Sequence, residues 1–200
     1  MKLGIFGGSF DPIHYGHLIL AEYLREGAGL DRVLLMPAYE SPFKIGQTKS
    51  DAASRLKMVE LATQDHPSFD ICDLDISGGR VSYMVDLMAS LRKMYPTDEL
   101  YYLSGTDSFL GIECWRGSEE LLSRYSFAVG TRPGYRDEEL AEFAEYIRAK
   151  YHTEVQVVPI PKVEISSTDI RHRCKEEHSI RYLVPEAVER FIHENQLYIG

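Results

Sequence analysis

Few cysteines occur in the chain, and none is placed for cross-linking or for a structural metal. Cys72, Cys114 and Cys174 are odd in number and far apart, and no C-x-x-C pair is present. A disulfide framework needs paired cysteines, and a structural zinc site needs them closely spaced. We therefore expect reduced thiols that are either buried or incidental.

Long apolar runs are also missing. No stretch approaches the roughly 20 apolar residues that a membrane helix needs. The first residues, MKLGIFGG, enter a strand-like pattern directly, without the longer apolar core and cleavage site of a signal peptide. We expect a cytoplasmic protein with no membrane partner.

Positive charge is scarce. The 22 Lys and Arg residues face 31 Asp and Glu residues, for a net charge of −9. Because a nucleic acid backbone requires a basic face, we expect no nucleic acid polymer as a partner. A small anionic ligand is compatible with this charge, since a few Arg, Lys and His residues form a local positive pocket.

Short apolar runs alternate with amphipathic segments over nearly all of the chain. The runs predict six strands, at residues 2–6, 32–37, 69–76, 99–105, 126–134 and 154–160. Helices are predicted between them, with caps at Ser50 or Asp51, at Ser82 and at Ser167 or Thr168. Pro185 opens a final helix. The alternation predicts an α/β fold with a doubly wound, mostly parallel sheet and a small C-terminal helical segment.

The segment GIFGGSFDPIHYGH, residues 4–17, carries the first chemical signal. Gly7 and Gly8 let the backbone turn and approach a ligand, and the following helix start favours phosphate. His14 and His17 lie one turn apart and can both donate to one phosphoryl group. A plain glycine turn and a two-histidine metal site are the alternatives. No further metal ligand occurs at a recognisable spacing, and neither G-x-G-x-x-G nor G-x-x-x-x-G-K-[ST] is present.

A second signal is EISSTDIR, residues 164–171. Three hydroxyl side chains, Ser166 to Thr168, stand at a predicted helix start, and Arg171 follows one turn later. The simpler interpretation is a well-capped helix. The alternative is a second phosphate cradle, in which the planar guanidinium of Arg171 binds phosphate oxygens.

The two segments together resemble a known family. GGSFDPIHYGH and ISSTDIR match G-x-F-D-P-x-H-x-G-H and I-S-S-T-x-I-R, the signatures of adenylyltransferases in the nucleotidylyltransferase superfamily. The chain further resembles bacterial nicotinate-nucleotide adenylyltransferases in SPFK, SRLKMVELA, SYMVDLM, LSGTDSFLGIECW, RPGY and YLVPEAVERFIHENQLY. Phe43 stands where that family usually has His, and Met84 where it usually has Thr.

This resemblance implies a Rossmann-like nucleotidylyltransferase fold, with residues 1–200 forming one domain. It implies that ATP and nicotinate mononucleotide react to nicotinate adenine dinucleotide and pyrophosphate, in NAD biosynthesis. Mg²⁺ is expected to travel with ATP, through phosphate oxygens and water, with no protein metal ligand. The oligomeric state does not follow from the sequence.

The resemblance also implies the site residues. Catalytic contacts to phosphates are assigned to His14, His17, Lys44 and Arg171. ATP-binding residues are Gly7, Gly8, Ser9, Phe10, Gly105, Asp107, Ile165, Ser166, Ser167 and Thr168. Mononucleotide-binding residues are Tyr83, Met84, Trp115, Arg116 and Arg132.

Some of these roles have structural alternatives. His17 is expected nearest the reacting α-phosphate. Trp115, the only tryptophan, is either stacked on the pyridine ring or a core aromatic. Asp107 either holds a ribose hydroxyl or caps a helix. Arg116 would favour a ring carboxylate over an amide.

Four other functions compete with this interpretation. Pantetheine-phosphate adenylyltransferases share both signatures but are shorter, and cytidylyltransferases tend to differ at the second signature. A sensor that binds ATP or a dinucleotide without turnover would release no pyrophosphate. A redox dehydrogenase is disfavoured because the first loop lacks G-x-G-x-x-G.

Overall fold

The computed structural model describes residues 1–40, 46, 49–131, 134 and 136–199. Its strands form one six-stranded parallel sheet in the order β3-β2-β1-β4-β5-β6. Their bounds are β1 Lys2–Gly8, β2 Arg32–Pro37, β3 Phe69–Ile71, β4 Glu99–Gly105, β5 Ser126–Gly130 and β6 Val155–Val158. The predicted α/β class is confirmed, with a strand at each of the six predicted places.

The central strands are buried as continuous apolar runs, as expected of a sheet covered on both faces. Leu100 to Leu103 of β4 are all buried. β1 pairs with β4 from Lys2 opposite Glu99 to Ile5 opposite Tyr102. The strand order therefore reverses between β1 and β4, and in such sheets ligands bind beyond the carboxyl ends of the strands at this point.

Helices connect the strands. They are α1 Tyr15–Gly27, α2 Ala52–Thr63, α3 Leu74–Gly78, α4 Met84–Met94, α5 Thr106–Leu110, α6 Ser118–Arg124, α7 Asp137–Tyr151, α8 Ser167–Lys175 and α9 Glu186–Glu194. A 3-10 turn, Ile112–Cys114, lies between α5 and α6. The last two helices are the predicted C-terminal helical segment, and α9 begins after Pro185 as predicted.

Strand three was predicted too long. The run 69–76 alternates apolar and acidic residues, which is a strand pattern, but β3 ends at Ile71 and α3 begins at Leu74. Asp75 and Ile76 therefore belong to a short helix. Asp75 is buried, so its alternation with apolar neighbours did not mark a solvent-facing side. Strands five and six are likewise shorter than predicted, since β5 ends at Gly130 and β6 ends at Val158.

Helix caps were predicted with mixed success. Asp51 caps α2, because its carboxylate accepts the Ser54 N–H at 2.8 Å. Ser82 does not cap α4; the residue before that helix is Tyr83. Ser166, one residue earlier than predicted, caps α8 by accepting the Asp169 N–H at 3.1 Å.

Two compact units make up the chain. The first comprises Met1–Gly7, Leu20–Leu34 and Tyr83–Lys162, and the second comprises Gly8–Ile19, Leu35–Ser82 and Val163–Gly200. The first holds β4 to β6, and the second holds β3, α2, α8 and α9. That all 200 residues form one nucleotidylyltransferase domain stays a prediction.

Two sequence expectations concern the environment of the chain. In the part of the chain that the structure describes, no helix combines the length and apolar character needed to cross a bilayer. Cys72 and Cys174 are buried thiols, and Cys114 is an exposed one; all three are free. Burial raises the pKa of the Cys72 and Cys174 thiols, which keeps them in the protonated, unreactive form.

Candidate active site

Two histidines stand at the start of α1 in the second unit. His14 is buried and its backbone carbonyl accepts the N–H of His17 at 2.9 Å. The rings are stacked, with centroids 3.7 Å apart. The His14 N–H donates to Nδ1 of His17 at 3.3 Å. Since that nitrogen accepts, a neutral His17 ring carries its proton on Nε2.

Gly16 explains how the two signatures meet. A Cβ at this position would lie 3.0 Å from ring atoms of His14 and 3.4 Å from the carbonyl oxygen of Ile165. A side chain here would require the His14 ring or the ISST backbone to shift by a few tenths of an ångström. Gly16 was not among the predicted site residues, although its place between Tyr15 and His17 in the first signature was the available signal.

The second signature holds the first through two side chains. Ser167 donates its hydroxyl to the carbonyl of Pro12 at 2.9 Å. Arg171 donates to the carbonyl of Asp11 at 2.7 Å and to the hydroxyl of Thr168 at 3.2 Å. The structure thus brings these predicted residues together. Arg171 additionally supports the 8–14 loop, so its role is not confined to a ligand.

A buried carboxylate organises this loop. Asp11 is 4% exposed. Its oxygens accept the N–H of Lys49 at 2.8 Å, the hydroxyl of Ser50 at 2.6 Å and the phenol of Tyr198 at 2.8 Å. We call Asp11, Ser50, Tyr198 and Arg171 the Asp11 cluster. Its members come from four separate parts of the sequence, and Asp11, Ser50 and Tyr198 were not among the predicted site residues.

Arg55 of α2 fixes the same loop from another side. It is 1% exposed, and its guanidinium donates to the carbonyls of Ser9, Ala38 and Tyr39. Burial lowers the pKa of Arg55, while nearby Asp11 opposes that shift. The resemblance had included this arginine only as part of a helix motif. A buried arginine that serves backbone carbonyls gives no signal in sequence periodicity.

In the first unit, the predicted mononucleotide residues form two contacts. The guanidinium of Arg116 lies 4.4 Å from the ring centroid of Tyr83, a cation–π geometry. Trp115 is partly buried and meets Tyr102 edge-on at 5.8 Å. Trp115 is therefore not a fully buried core aromatic. Met84 begins α4, where backbone N–H groups lack helical partners.

Gly117 brings these two segments together. It has φ of +71°, and a Cβ there would lie 2.7 Å from Val85 Cγ1. Any side chain would push the turn after Arg116 away from the start of α4.

Gly105 ends β4 in the same unit, and Asp107 follows that strand. Gly105 precedes α5 and is its N-cap, and Asp107 lies inside the helix. The alternative that Asp107 caps a helix is therefore wrong. Thr106 between them is buried and donates its hydroxyl to the carbonyl of Gly130 at 3.0 Å. Burial, assisted by Asp107, raises the pKa of Tyr102.

A second carboxylate-centred group lies next to Trp115. Glu113 Oε1 accepts from Lys150 Nζ at 2.7 Å, from the Tyr151 phenol at 2.7 Å and from the Tyr146 phenol at 3.3 Å. We call these four residues the Glu113 cluster. The Lys150 hydrogen bond, followed by that of Tyr151, lowers the pKa of Glu113. This cluster ties the 3-10 turn to α7 and was not predicted.

Lys44, Arg132 and Phe43 lie outside the described residues. Gly7, Gly8, Ser9 and Phe10 lie at the end of β1 and just beyond it. In residues 1–40, 46, 49–131, 134 and 136–199, no three His, Cys, Asp or Glu side chains are grouped to hold a metal ion.

Comparison with known proteins places this geometry in a family. The family model described as cytidylyltransferase-like matches residues 5–173. The chain belongs to this family. The matched region includes both signatures and everything between them.

Relatives narrow the family further. "Probable nicotinate-nucleotide adenylyltransferase" of Desulfitobacterium hafniense (strain DSM 10664 / DCB-2) is 39% identical over 197 residues, which is 98% of this chain and 95% of the relative. The protein of that name from Thermomicrobium roseum is 41% identical over 98% of this chain and 91% of its own length. The resemblance to nicotinate-nucleotide adenylyltransferases is therefore confirmed.

Solved structures share the fold. Plasmodium falciparum nicotinic acid mononucleotide adenylyltransferase complexed with NaAD superposes with a TM-score of 0.80 at 21% identity, covering 98% of this chain and 97% of that one. The same enzyme complexed with APC gives 0.78 at 20% identity, with 98% and 96% covered. At 20–21% identity, this similarity shows that the chains share a fold and shows nothing further.

Proposed function

We infer that this chain transfers the adenylyl group of ATP to nicotinate mononucleotide, which gives nicotinate adenine dinucleotide and pyrophosphate in NAD biosynthesis. One support is the comparison: the chain matches relatives named nicotinate-nucleotide adenylyltransferase over nearly their full length. The structural observation that carries the proposal is the stacked pair His14 and His17, in which Nδ1 of His17 accepts the His14 N–H.

The chemistry requires no protein nucleophile. The phosphate of the mononucleotide is already ionised at neutral pH and attacks the α-phosphorus of ATP. One P–O bond forms to that oxygen as the bond to the leaving pyrophosphate breaks. Catalysis then consists of aligning the two substrates and stabilising charge on the transferring and leaving groups.

The second unit supplies the phosphate contacts in this proposal. His14 and His17 donate to ATP phosphates, with His17 nearest the α-phosphate. The exposed side chains of Ser166 and Thr168 stand at the start of α8, where helix N–H groups favour anions. Arg171, with N–H donors beyond those given to Asp11 and Thr168, and Lys44 neutralise the leaving end.

The nucleoside contacts follow the resemblance. Gly7, Gly8, Ser9 and Phe10 let the backbone close on the nucleotide, and Ile165 and Ser167 extend this backbone contact. Gly105 and Asp107 stand at the end of β4, where an acidic side chain accepts from a ribose hydroxyl.

The first unit supplies recognition of the mononucleotide. Trp115 stacks on the pyridine ring, and Tyr83 lines the same pocket. The resemblance also assigns Arg132, which lies outside the described residues, to mononucleotide binding. Arg116, held over Tyr83, offers positive charge to the ring carboxylate. The start of α4 adds backbone N–H donors, and a backbone donor is the same whether its residue is Met84 or the family's Thr. Preference for the acid over the amide rests on these donors.

ATP enters this reaction as its Mg²⁺ complex, with the ion bound through phosphate oxygens and water. The charge of −9 is compatible with such small anionic substrates because the phosphate contacts are local. A cytoplasmic location stays part of the proposal.

The test is pyrophosphate release from Mg-ATP with nicotinate mononucleotide, nicotinamide mononucleotide and phosphopantetheine as separate acceptors. We expect strong preference for the nicotinate substrate. Equal use of both pyridine mononucleotides would contradict the role given to Arg116 and α4. Pyrophosphate release only with phosphopantetheine would contradict the proposed function. The absence of release with any of the three acceptors would contradict it as well.

His17→Ala tests the assignment of the donor. We expect turnover to fall well over tenfold, about 2 kcal/mol of transition-state stabilisation, because one charge-assisted donor is lost. The midpoint of thermal unfolding should stay close to that of wild type. His178→Ala, at an exposed histidine, is the matched control and should leave turnover unchanged. Near-normal turnover of His17→Ala would remove His17 from the mechanism.

A further inference from the structure

The phenol of Tyr198 reaches the loop that carries the histidines. It donates to Asp11 Oδ1 at 2.8 Å and lies 3.2 Å from the hydroxyl of Ser50. This contact joins positions 187 residues apart. Tyr198 has φ of +66°, a backbone conformation that residues other than glycine rarely adopt. The last turn of the described chain is thus shaped to present this hydroxyl.

The 8–14 loop has few ways to move when these bonds are made. The carboxylate of Asp11 is held by Ser50 and Tyr198, and the carbonyl of the same residue is held by Arg171. Both polar ends of Asp11 are therefore fixed. His14, three residues later, lies directly before α1 and is stacked on His17. Any displacement of Asp11 is passed along a short, buried segment to that pair.

We propose that Tyr198 is a positioning residue of the nucleotide site, which fixes the 8–14 loop through Asp11 without touching substrate. The inference rests on the proposed function, because it takes the histidine pair as the phosphate contact. Burial, followed by the charge of Asp11, raises the pKa of Tyr198. The phenol consequently keeps its proton, and donates, at neutral pH.

The experiment is Tyr198→Phe, which removes one hydroxyl and leaves the ring. Calorimetric titration with a non-hydrolysable ATP analogue measures the nucleotide site alone. We expect the dissociation constant to rise about three- to tenfold, which is the range for losing one ordinary hydrogen bond. KM for ATP should rise in parallel, whereas KM for nicotinate mononucleotide should change less than about twofold.

Tyr182→Phe is the matched control. Tyr182 is also near the C-terminus and also has positive φ, +67°, but its side chain is 82% exposed. The same chemical change there should alter neither constant. Ser50→Ala is a second variant, because it removes another donor to the same carboxylate. It should weaken binding of the analogue in the same direction, even where Tyr198→Phe proves poorly folded.

The outcomes separate cleanly. Weaker binding of the analogue by Tyr198→Phe and Ser50→Ala, with normal binding by Tyr182→Phe, supports the inference. A lowered unfolding temperature with unchanged binding would mean that Tyr198 only stabilises the fold, and would overturn it. Wild-type chain that binds the analogue but turns over no mononucleotide would defeat the proposed function while the positioning role stands.

Discussion

Two carboxylates, one in each compact unit, collect donors from distant segments, yet they do so in opposite surroundings. In the Asp11 cluster the carboxylate is 4% exposed. In the Glu113 cluster the side chain is 29% exposed and its main partner, Lys150, is 46% exposed. Burial makes the loss of a hydrogen-bond partner costly in free energy of unfolding, because an unpaired buried polar group cannot form a hydrogen bond with water instead. Exposure makes the same loss mild, because water and salt replace the partner.

The largest expected effect is that of Asp11→Asn. The amide has the size of the carboxylate but only one accepting oxygen, so donors in the cluster would face an NH₂ group. We expect the free energy of unfolding to fall by about 3 kcal/mol, as for loss of buried hydrogen bonds to a charged group. Urea unfolding measures it. A loss below about 1 kcal/mol would break the comparison, since Asp11 would then behave like a surface residue.

Ser50→Ala sharpens the comparison within the buried cluster. It removes one hydroxyl that donates to Asp11 at 2.6 Å and leaves the backbone N–H bonds in place. We expect a loss of about 1–2 kcal/mol in the same urea measurement. A loss equal to that of Asp11→Asn would show that this one hydroxyl, and not the whole donor set, stabilises the carboxylate.

Glu113→Gln is the isosteric counterpart at the exposed cluster and should have the smallest effect. We expect a loss in the free energy of unfolding below about a third of that for Asp11→Asn. It should shrink further as salt is raised, because the Lys150 pair is screened. Glu120→Gln, which breaks the exposed pair with Arg124 at 2.8 Å, is the matched control.

The pH dependence of Glu113→Gln follows from the sign of the shift. The folded chain lowers the pKa of Glu113, so the charged form is favoured on folding. Its contribution is present above the unfolded pKa and is lost as pH falls through the folded one. The difference between wild type and Glu113→Gln should therefore vanish in acid. A difference that persisted there would mean that the lost contact was not ionic.

The strands were predictable because burial on both faces leaves continuous apolar runs, as in RVLLMP and ELYYLSG. The first signature could also be identified from the sequence, since its glycines and histidines are close together in the chain. The failure at 69–76 has a physical cause. Asp75 is a buried acid whose pKa is raised by burial, and it mimicked the polar side of a strand.

The supporting residues were not predictable. Ser50 was considered as a cap for α2, and its hydroxyl instead bonds Asp11 from a different segment. Tyr198 looked like one more aromatic in a matching C-terminal stretch. Arg55 is a charge placed where burial statistics would put an apolar residue. Each of these contacts forms only when distant segments of the chain meet in the fold. The local pattern of apolar and polar residues therefore does not predict it.

The bond between Asp11 and Tyr198 also has a consequence for synthesis of the chain. Translation proceeds from the N-terminus, so the loop with its histidines is made early, and its phenol donor arrives 187 residues later. Contacts of such separation form late and slow the folding of a domain. While residue 198 is still in the ribosomal exit tunnel, a nascent chain has both histidines of the proposed nucleotide site and lacks the hydroxyl that fixes its loop. Maturation of this loop is therefore coupled to the emergence of residue 198 from the ribosome.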